Sequence, residues 1–132
     1  MKMALRVLTV LVALQFGGFG IWWIVDPTAA AAELGMELLT GMGASTQIGD
    51  IGAFFLAMSA MLVLGQRQGQ AHWFYPAAML VGFAAATRTL AFLTGNAPFG
   101  LEFIAPEVIM AAILVAAART RSREDAEEMN HA

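Results

Sequence analysis

Residues 73–93 read WFYPAAMLVGFAAATRTLAFL, a run of bilayer-crossing length with an arginine, Arg88, near its middle. A helix rising ~1.5 Å per residue through ~30 Å of hydrocarbon needs about 20 mostly apolar residues, and this stretch supplies them. A guanidinium at that depth costs about 2.5–3.5 kcal/mol on insertion scales and more by simulation, so it requires a partner or a wet cavity. Every other basic residue lies at a segment end or between segments. The stretch therefore reads as a membrane span whose arginine must be answered from elsewhere in the chain.

The surrounding composition agrees. Of 132 residues, 59% are hydrophobic and only 13% charged, against roughly 25% charged in a soluble domain; the mean hydropathy is +0.69. The chain reads as a polytopic, all-α membrane protein. Cysteine is absent, which excludes disulfides, thiolate metal sites and cysteine nucleophiles. A net charge of −3 gives no footprint for nucleic acid. His72 and His131 have no metal-ligand spacing around them, and neither a metal nor a cofactor is expected.

Three more spans follow outward from residues 73–93: about 5–25, 48–65 and 101–118. Together they predict four transmembrane helices in an up-down bundle over residues 1–118, followed by a polar cytoplasmic tail, 119–132, that reads as frayed. Ser45-Thr46 offers an N-cap for the second span. Residues 26–44 are too short and too glycine-broken to span. Asp26 as N-cap, Pro27 at the first helical position and the alanine run predict a short interfacial helix there, read as a packed connector ahead of a lid.

Basic residues near span ends stay on the cytoplasmic side. Lys2, Arg6, Arg67, Arg119, Arg121 and Arg123 fall on one side of a four-span arrangement, whereas Asp26, Glu33, Glu37 and Glu102 fall on the other. Both termini are thus expected in the cytoplasm of a bacterium, with the protein in its inner membrane. Trp22-Trp23 would mark the outer interface and Trp73-Phe74-Tyr75 the inner one. Lys2 and Arg6 before an apolar run also fit a signal peptide, but the run continues to Val25, longer than a signal core. Small residues at helical spacing, Gly49/Ala53/Ala57, Ala78/Gly82/Ala86 and Ala112/Ala116, with Gly17, Gly18 and Gly20 lightening the first span, are read as support for close helix packing. Met58, Met61, Met79 and Met110 are read as gap-fillers.

The partner for Arg88 follows from depth. In an antiparallel hairpin turning through residues 95–100, Arg88 lies about 10 Å and Glu107 about 9 Å below the outer helix ends. A carboxylate is also the group best shaped to satisfy a guanidinium. Asp50 is expected about a turn shallower, with Gln47 and Thr46 above it, so the candidate cluster is Arg88, Glu107, Asp50 and Gln47, open to the outer leaflet. Ala84, Ala85 and Ala91 leave room beside Arg88, and Phe92 would wall the site. Thr87 and Thr89 can bond back to their own helix. Pro106 either sits inside the fourth helix or starts it, and in the second case Glu107 becomes a first-turn carboxylate.

The segments WWIVDPTAAAAELGMEL, STQIGDIGAFFLAMSAMLVLG, WFYPAAMLVGFAAATRTLAF and FIAPEVIMAAILVAAAR together resemble a family of small bacterial four-helix membrane proteins known only as a domain of unknown function. The likeness rests on the Asp-Pro after the first helix, the Gly-Asp before the apolar second helix, the arginine in the third and the glutamate in the fourth. Where relatives carry Tyr-Gly-Gly, this chain has Gly49, Gly52 and Ala53. The resemblance implies the four-helix fold and the membrane location, and no activity.

Three classes of function stay open. One is an accessory protein that docks another membrane protein, the polar cluster being a structural ion pair. Another is a protein that binds a small amphiphile entering from the lipid bilayer, with Arg88 as anchor. The third is a transporter or a membrane enzyme of the proton-transfer isomerase type using Asp50 or Glu107 with Arg88. Without cysteine, buried histidine or metal motif, carboxylates would carry the enzyme chemistry by themselves, so the accessory or binding readings lead.

Overall fold

Helix α1 (Lys2–Val25) packs along a later helix, α3 (Gly41–Gly65), and the residues that meet run in opposite order. Gln66, just past α3, reaches Thr9; Ser59 reaches Ala13; Leu56 lies on Gly20; and Gly52 faces Trp23. The computed structural model describes residues 2–130, which contain no strand. Four of its helices are each long and apolar enough to cross a membrane. The Lys2 side chain and His131 lie outside the described part.

Between α1 and α3 comes α2 (Pro27–Glu33). Asp26 caps it, accepting from the Ala29 amide at 3.1 Å, with Pro27 at the first position, where a missing N–H costs nothing. Gly35 ends it in a left-handed conformation (φ 69°), with the Gly35 and Met36 amides closing back on Ala32 and Ala31. After a 3-10 turn (Ala71–Trp73), α4 (Phe74–Leu93) and α5 (Leu101–Asn130) form a second antiparallel pair. Gly95 (φ 73°) terminates α4 by the same device: its amide bonds Phe92, and that of Asn96 bonds Ala91.

The two pairs join at one end of the molecule. Ala13 of α1, Met58 and Leu62 of α3, Phe74, Ala77 and Val81 of α4, and Leu114, Ala117 and Ala118 of α5 share one core. Gly65 makes this possible, because any Cβ there would sit 2.9 Å from the Phe74 ring. Arg6, Arg67, Arg119, Arg121 and Arg123 gather at this basic end, since α1 begins there, α3 hands over to α4 there, and α5 leaves there. At the opposite end a second core forms around Trp23, Ala30 and Ala31, with Phe19, Ile48, Ile51 and Phe55 packed on it. That core belongs to α1, α2 and α3, and no residue of 86–93 on α4 is fully buried.

Several expectations need correction. Helix α3 begins at Gly41 and not near 48, with Thr40 in place of Ser45-Thr46 at its N-cap. Its early glycines are not interruptions. Gly41 (φ 58°) turns the chain into the helix, and Gly43 leaves space for Leu39, which would otherwise stand 3.1 Å from a Cβ. Helix α2 therefore occupies only part of 26–44. The tail is not frayed: α5 runs on to Asn130, about 45 Å in all. Glutamate and arginine are good helix formers, and the extension is tied to the α3–α4 connection. There Gln68 donates to Glu128 at 2.6 Å, the Gly69 amide donates to Asp125 at 3.1 Å, and Arg121 Nη2 donates to the Gln66 carbonyl at 2.7 Å.

The close-packing residues also differ from the stripes read in the sequence. Gly49, Ala53, Ala86, Ala112 and Ala116 are exposed. Ala78 does lie in the first core, and of the glycines read in the first span Gly17 and Gly20 make the intimate contacts, against Ser59 and Leu56. Apolar surface gives helices no reason to associate when lipid is the alternative, so a small residue matters only where a backbone or side chain actually fills its space. Of the tryptophan pair only Trp22 is partly exposed, while Trp23 is fully buried in the second core. Met58, Met61 and Met110 do pack in or on the first core, but Met79 is exposed.

Candidate functional site

Arg88 lies about one and a half turns before the end of α4 and Glu107 a little under two turns into α5, on the two arms of one helical hairpin. Its guanidinium Nε donates to Glu107 Oε1 at 3.1 Å. The contact uses one nitrogen rather than the paired fork that would saturate both groups. Among the described residues neither terminal amino group of Arg88 has an acceptor, and Glu107 Oε2 is buried without a donor. The Arg88 side chain is 45% exposed against 18% for Glu107. The pair is thus half sealed: its carboxylate faces the helix contact, and its amino groups face outward.

Arg88 lines an open cavity of about 590 Å³ between the last turns of α4 and the start of α5. Ala84 and Ala91 line it from α4, Ala97 and Pro98 from the turn, and Glu102 and Phe103 from α5. The guanidinium carbon lies 4.8 Å from the centre of the Phe103 ring, within the range of a cation–π contact. Phe92 does not wall the guanidinium. It pairs instead with Phe99 at 5.0 Å across the turn, holding the hairpin's end. Thr87 and Thr89 are spent on their own helix, bonding Phe83 at 2.8 Å and Ala85 at 2.8 Å.

Pro106 lies inside α5, which starts at Leu101. Glu107 is consequently an interior residue of the helix and not a first-turn carboxylate. Proline in this sixth position removes the N–H that would bond the Glu102 carbonyl, a loss tolerable so near the helix start.

The other two expected members of the cluster stand elsewhere. Gln47 closes the link before α3: its Oε1 accepts from the Leu39 amide at 2.9 Å, and its Nε2 donates to the Glu37 carbonyl at 3.2 Å. That is a structural clasp, and it explains how an irregular segment, 36–40, holds its path without a helix. Asp50 is exposed and makes no hydrogen bond or ion pair with any described residue. Both sit on α3, whose upper half packs with α1 and α2 rather than with α4. Phe103 is the functional neighbour that sequence reading missed. Its spacing of four from Glu107 puts the two on one helix face, and that was the available signal.

Among the described residues no group of histidine, aspartate and glutamate is arranged to hold a metal ion. Compared with family models, curated proteins and solved structures, the chain matches none.

Proposed function

We propose that this is an inner-membrane protein of bacteria, both termini cytoplasmic, that binds a small uncharged amphiphile through Arg88 in the outer-leaflet half of the α4/α5 hairpin. The observation that carries the reading is that Arg88, whose two amino groups have no acceptor among the described residues, lines a cavity of about 590 Å³. Donors at membrane depth are costly when unsatisfied, and a ligand offering an oxygen would satisfy them.

Charge decides the kind of oxygen. Glu107 already balances Arg88, and Glu102 adds a negative group at the cavity edge. A further full anion would leave excess negative charge in a medium of low dielectric, whereas an ester or amide carbonyl would not. The walls of Ala84, Ala91, Pro98 and Phe103 suit the attached hydrocarbon. The four-helix family resemblance brings the membrane location and no activity, so the ligand class rests on this geometry.

The test uses the full chain in dodecyl maltoside micelles with two probes of the same tail, monoolein and oleate. Monoolein is expected to raise the melting temperature of the wild type by a few degrees, as ligand linkage requires, and oleate to raise it less. Arg88→Gln should melt independently of monoolein. Equal shifts for wild type and Arg88→Gln would overturn the assignment.

A further inference from the structure

At the basic end, on the far side of the molecule from Arg88, a second cavity of about 310 Å³ opens between the start of α1, the end of α3 and the polar extension of α5. Its walls include Arg6, Thr9, Gln66, Phe74, Arg121 and Glu124. Thr9, 1% exposed, donates to its own helix and accepts from Gln66 Nε2 at 2.7 Å. Arg121, with its side chain 16% exposed, spends Nη2 on the Gln66 carbonyl at 2.7 Å and holds Nη1 3.8 Å from Glu124. Two buried atoms are left over: Arg121 Nε has no acceptor and Gln66 Oε1 has no donor. Among the described residues Arg6 makes no hydrogen bond or ion pair through its side chain.

We propose that this cavity is a phosphate site and that its ligand is the phosphodiester of an anionic phospholipid headgroup. Arg6 and Arg121 against Glu124 leave a single positive charge in the walls, which matches one phosphodiester. Phosphate oxygens offer acceptors to the Arg6 and Arg121 guanidiniums, and a side-chain shift that opens Arg121 Nε and Gln66 Oε1, both shut off from the cavity as they stand, would give each a partner in the headgroup. Depth agrees as well. Thr120 and Arg121 come within three residues of the end of the apolar run at Ala118, so the cavity sits at headgroup level, where basic pockets between spanning helices meet anionic lipid. The Phe74 floor, part of the common core, keeps the site from continuing into the bundle.

The experiment compares the full chain in dodecyl maltoside with dioleoylphosphatidylglycerol, dioleoylphosphatidylcholine and, without lipid, inorganic phosphate, reading bound lipid by native mass spectrometry and melting temperature in parallel. Wild type should retain phosphatidylglycerol over phosphatidylcholine. Arg6→Gln should weaken that retention about fivefold, the weight of one basic side chain at an anionic membrane surface, without lowering the lipid-free melting temperature. Arg121→Gln should weaken it too, with some loss of stability from its bond to Gln66. Arg67→Gln, exposed at the same end and outside the cavity, should leave retention unchanged. If inorganic phosphate stabilises wild type and not Arg6→Gln, the same site takes the soluble ion; if only the lipid does, the source is the headgroup. Equal losses for Arg6→Gln and Arg67→Gln would reduce the effect to diffuse surface charge and overturn the site, as would indifference of the wild type to both phosphatidylglycerol and phosphate.

Discussion

Arg88 holds Glu107 by Nε alone, 3.1 Å from Oε1, across the hairpin of α4 and α5. The single-point contact leaves the remaining guanidinium donors without an acceptor among the described residues, on a side chain that lines the cavity. It also means that the same residue is asked to serve both the helix contact and the proposed ligand. Those two roles make different demands on a mutant series.

Arg88→Gln, Glu107→Gln and the double variant separate them. Interhelical polar contacts in membranes average near 0.6 kcal/mol and rarely exceed ~1.7 kcal/mol. Arg88 is also half exposed, so its share is expected in the lower part of that range. Steric-trap unfolding in bicelles should therefore give a coupling of about 0.5 kcal/mol between the two positions, with the double variant less destabilised than the sum of the singles. All three should remain folded, because the main core at the basic end contains neither residue. A coupling indistinguishable from zero would mean that the ion pair does not hold α4 to α5.

A second prediction concerns α1, where three nearby glycines differ only in what their missing Cβ would meet. At Gly20 it would lie 2.7 Å from Leu56 Cγ and 3.1 Å from the Leu56 backbone nitrogen, so the helices themselves must part. At Gly17 it would meet the Ser59 hydroxyl at 2.8 Å, a group that can rotate away by giving up its bond to the Ala13 carbonyl. At Gly18 it would meet nothing within 4 Å. Alanine substitution should accordingly cost about 1–3 kcal/mol at Gly20, less at Gly17, and nothing at Gly18, where alanine is the better helix former. Thermal melts of the three variants in one detergent would show the order. Equal losses at Gly18 and Gly20 would contradict the close approach of α1 and α3.

That contrast also shows how far the fold could be read from the chain. Span lengths were legible because the bilayer sets a minimum that soluble helices do not share, and Asp26-Pro27 announced α2 through cap chemistry local to those residues. The Arg88–Glu107 contact was legible because depth within a hairpin can be counted in residues from its turn. Which glycines pack was not, because Gly49, Gly52, Gly17 and Gly20 all sit in apolar runs and the rotation of one helix against another is a long-range property. The same limit misplaced Asp50 and Gln47. Counting depth put Asp50 about a turn above Arg88 and Gln47 above that, but depth says nothing about lateral position, and the upper half of α3 packs on α1. The helical tail was missed because charge was read as exposure, while Asp125 and Glu128 are tethered to residues 68 and 69, more than 50 positions earlier.

Orientation is the remaining prediction, and it follows from the ends of the molecule. Arg6, Arg67, Arg119, Arg121 and Arg123 share one end, whereas Asp26, Glu33, Glu37 and Glu102 lie toward the other. Basic residues flanking short spans are retained in the cytoplasm, while acidic ones have little influence. Because the chain contains no cysteine, single substitutions report position without background. Asn96→Cys, in the exposed turn between α4 and α5, should react with a membrane-impermeant maleimide in intact spheroplasts. Ser122→Cys, exposed on the α5 extension, should react only after the membrane is opened. The reverse pattern would place Arg88 in the inner half of the bilayer and move its ligand's entry to the cytoplasmic leaflet. It would also carry the Arg6–Arg121 cavity to the outer surface, so one labelling result bears on both proposed sites.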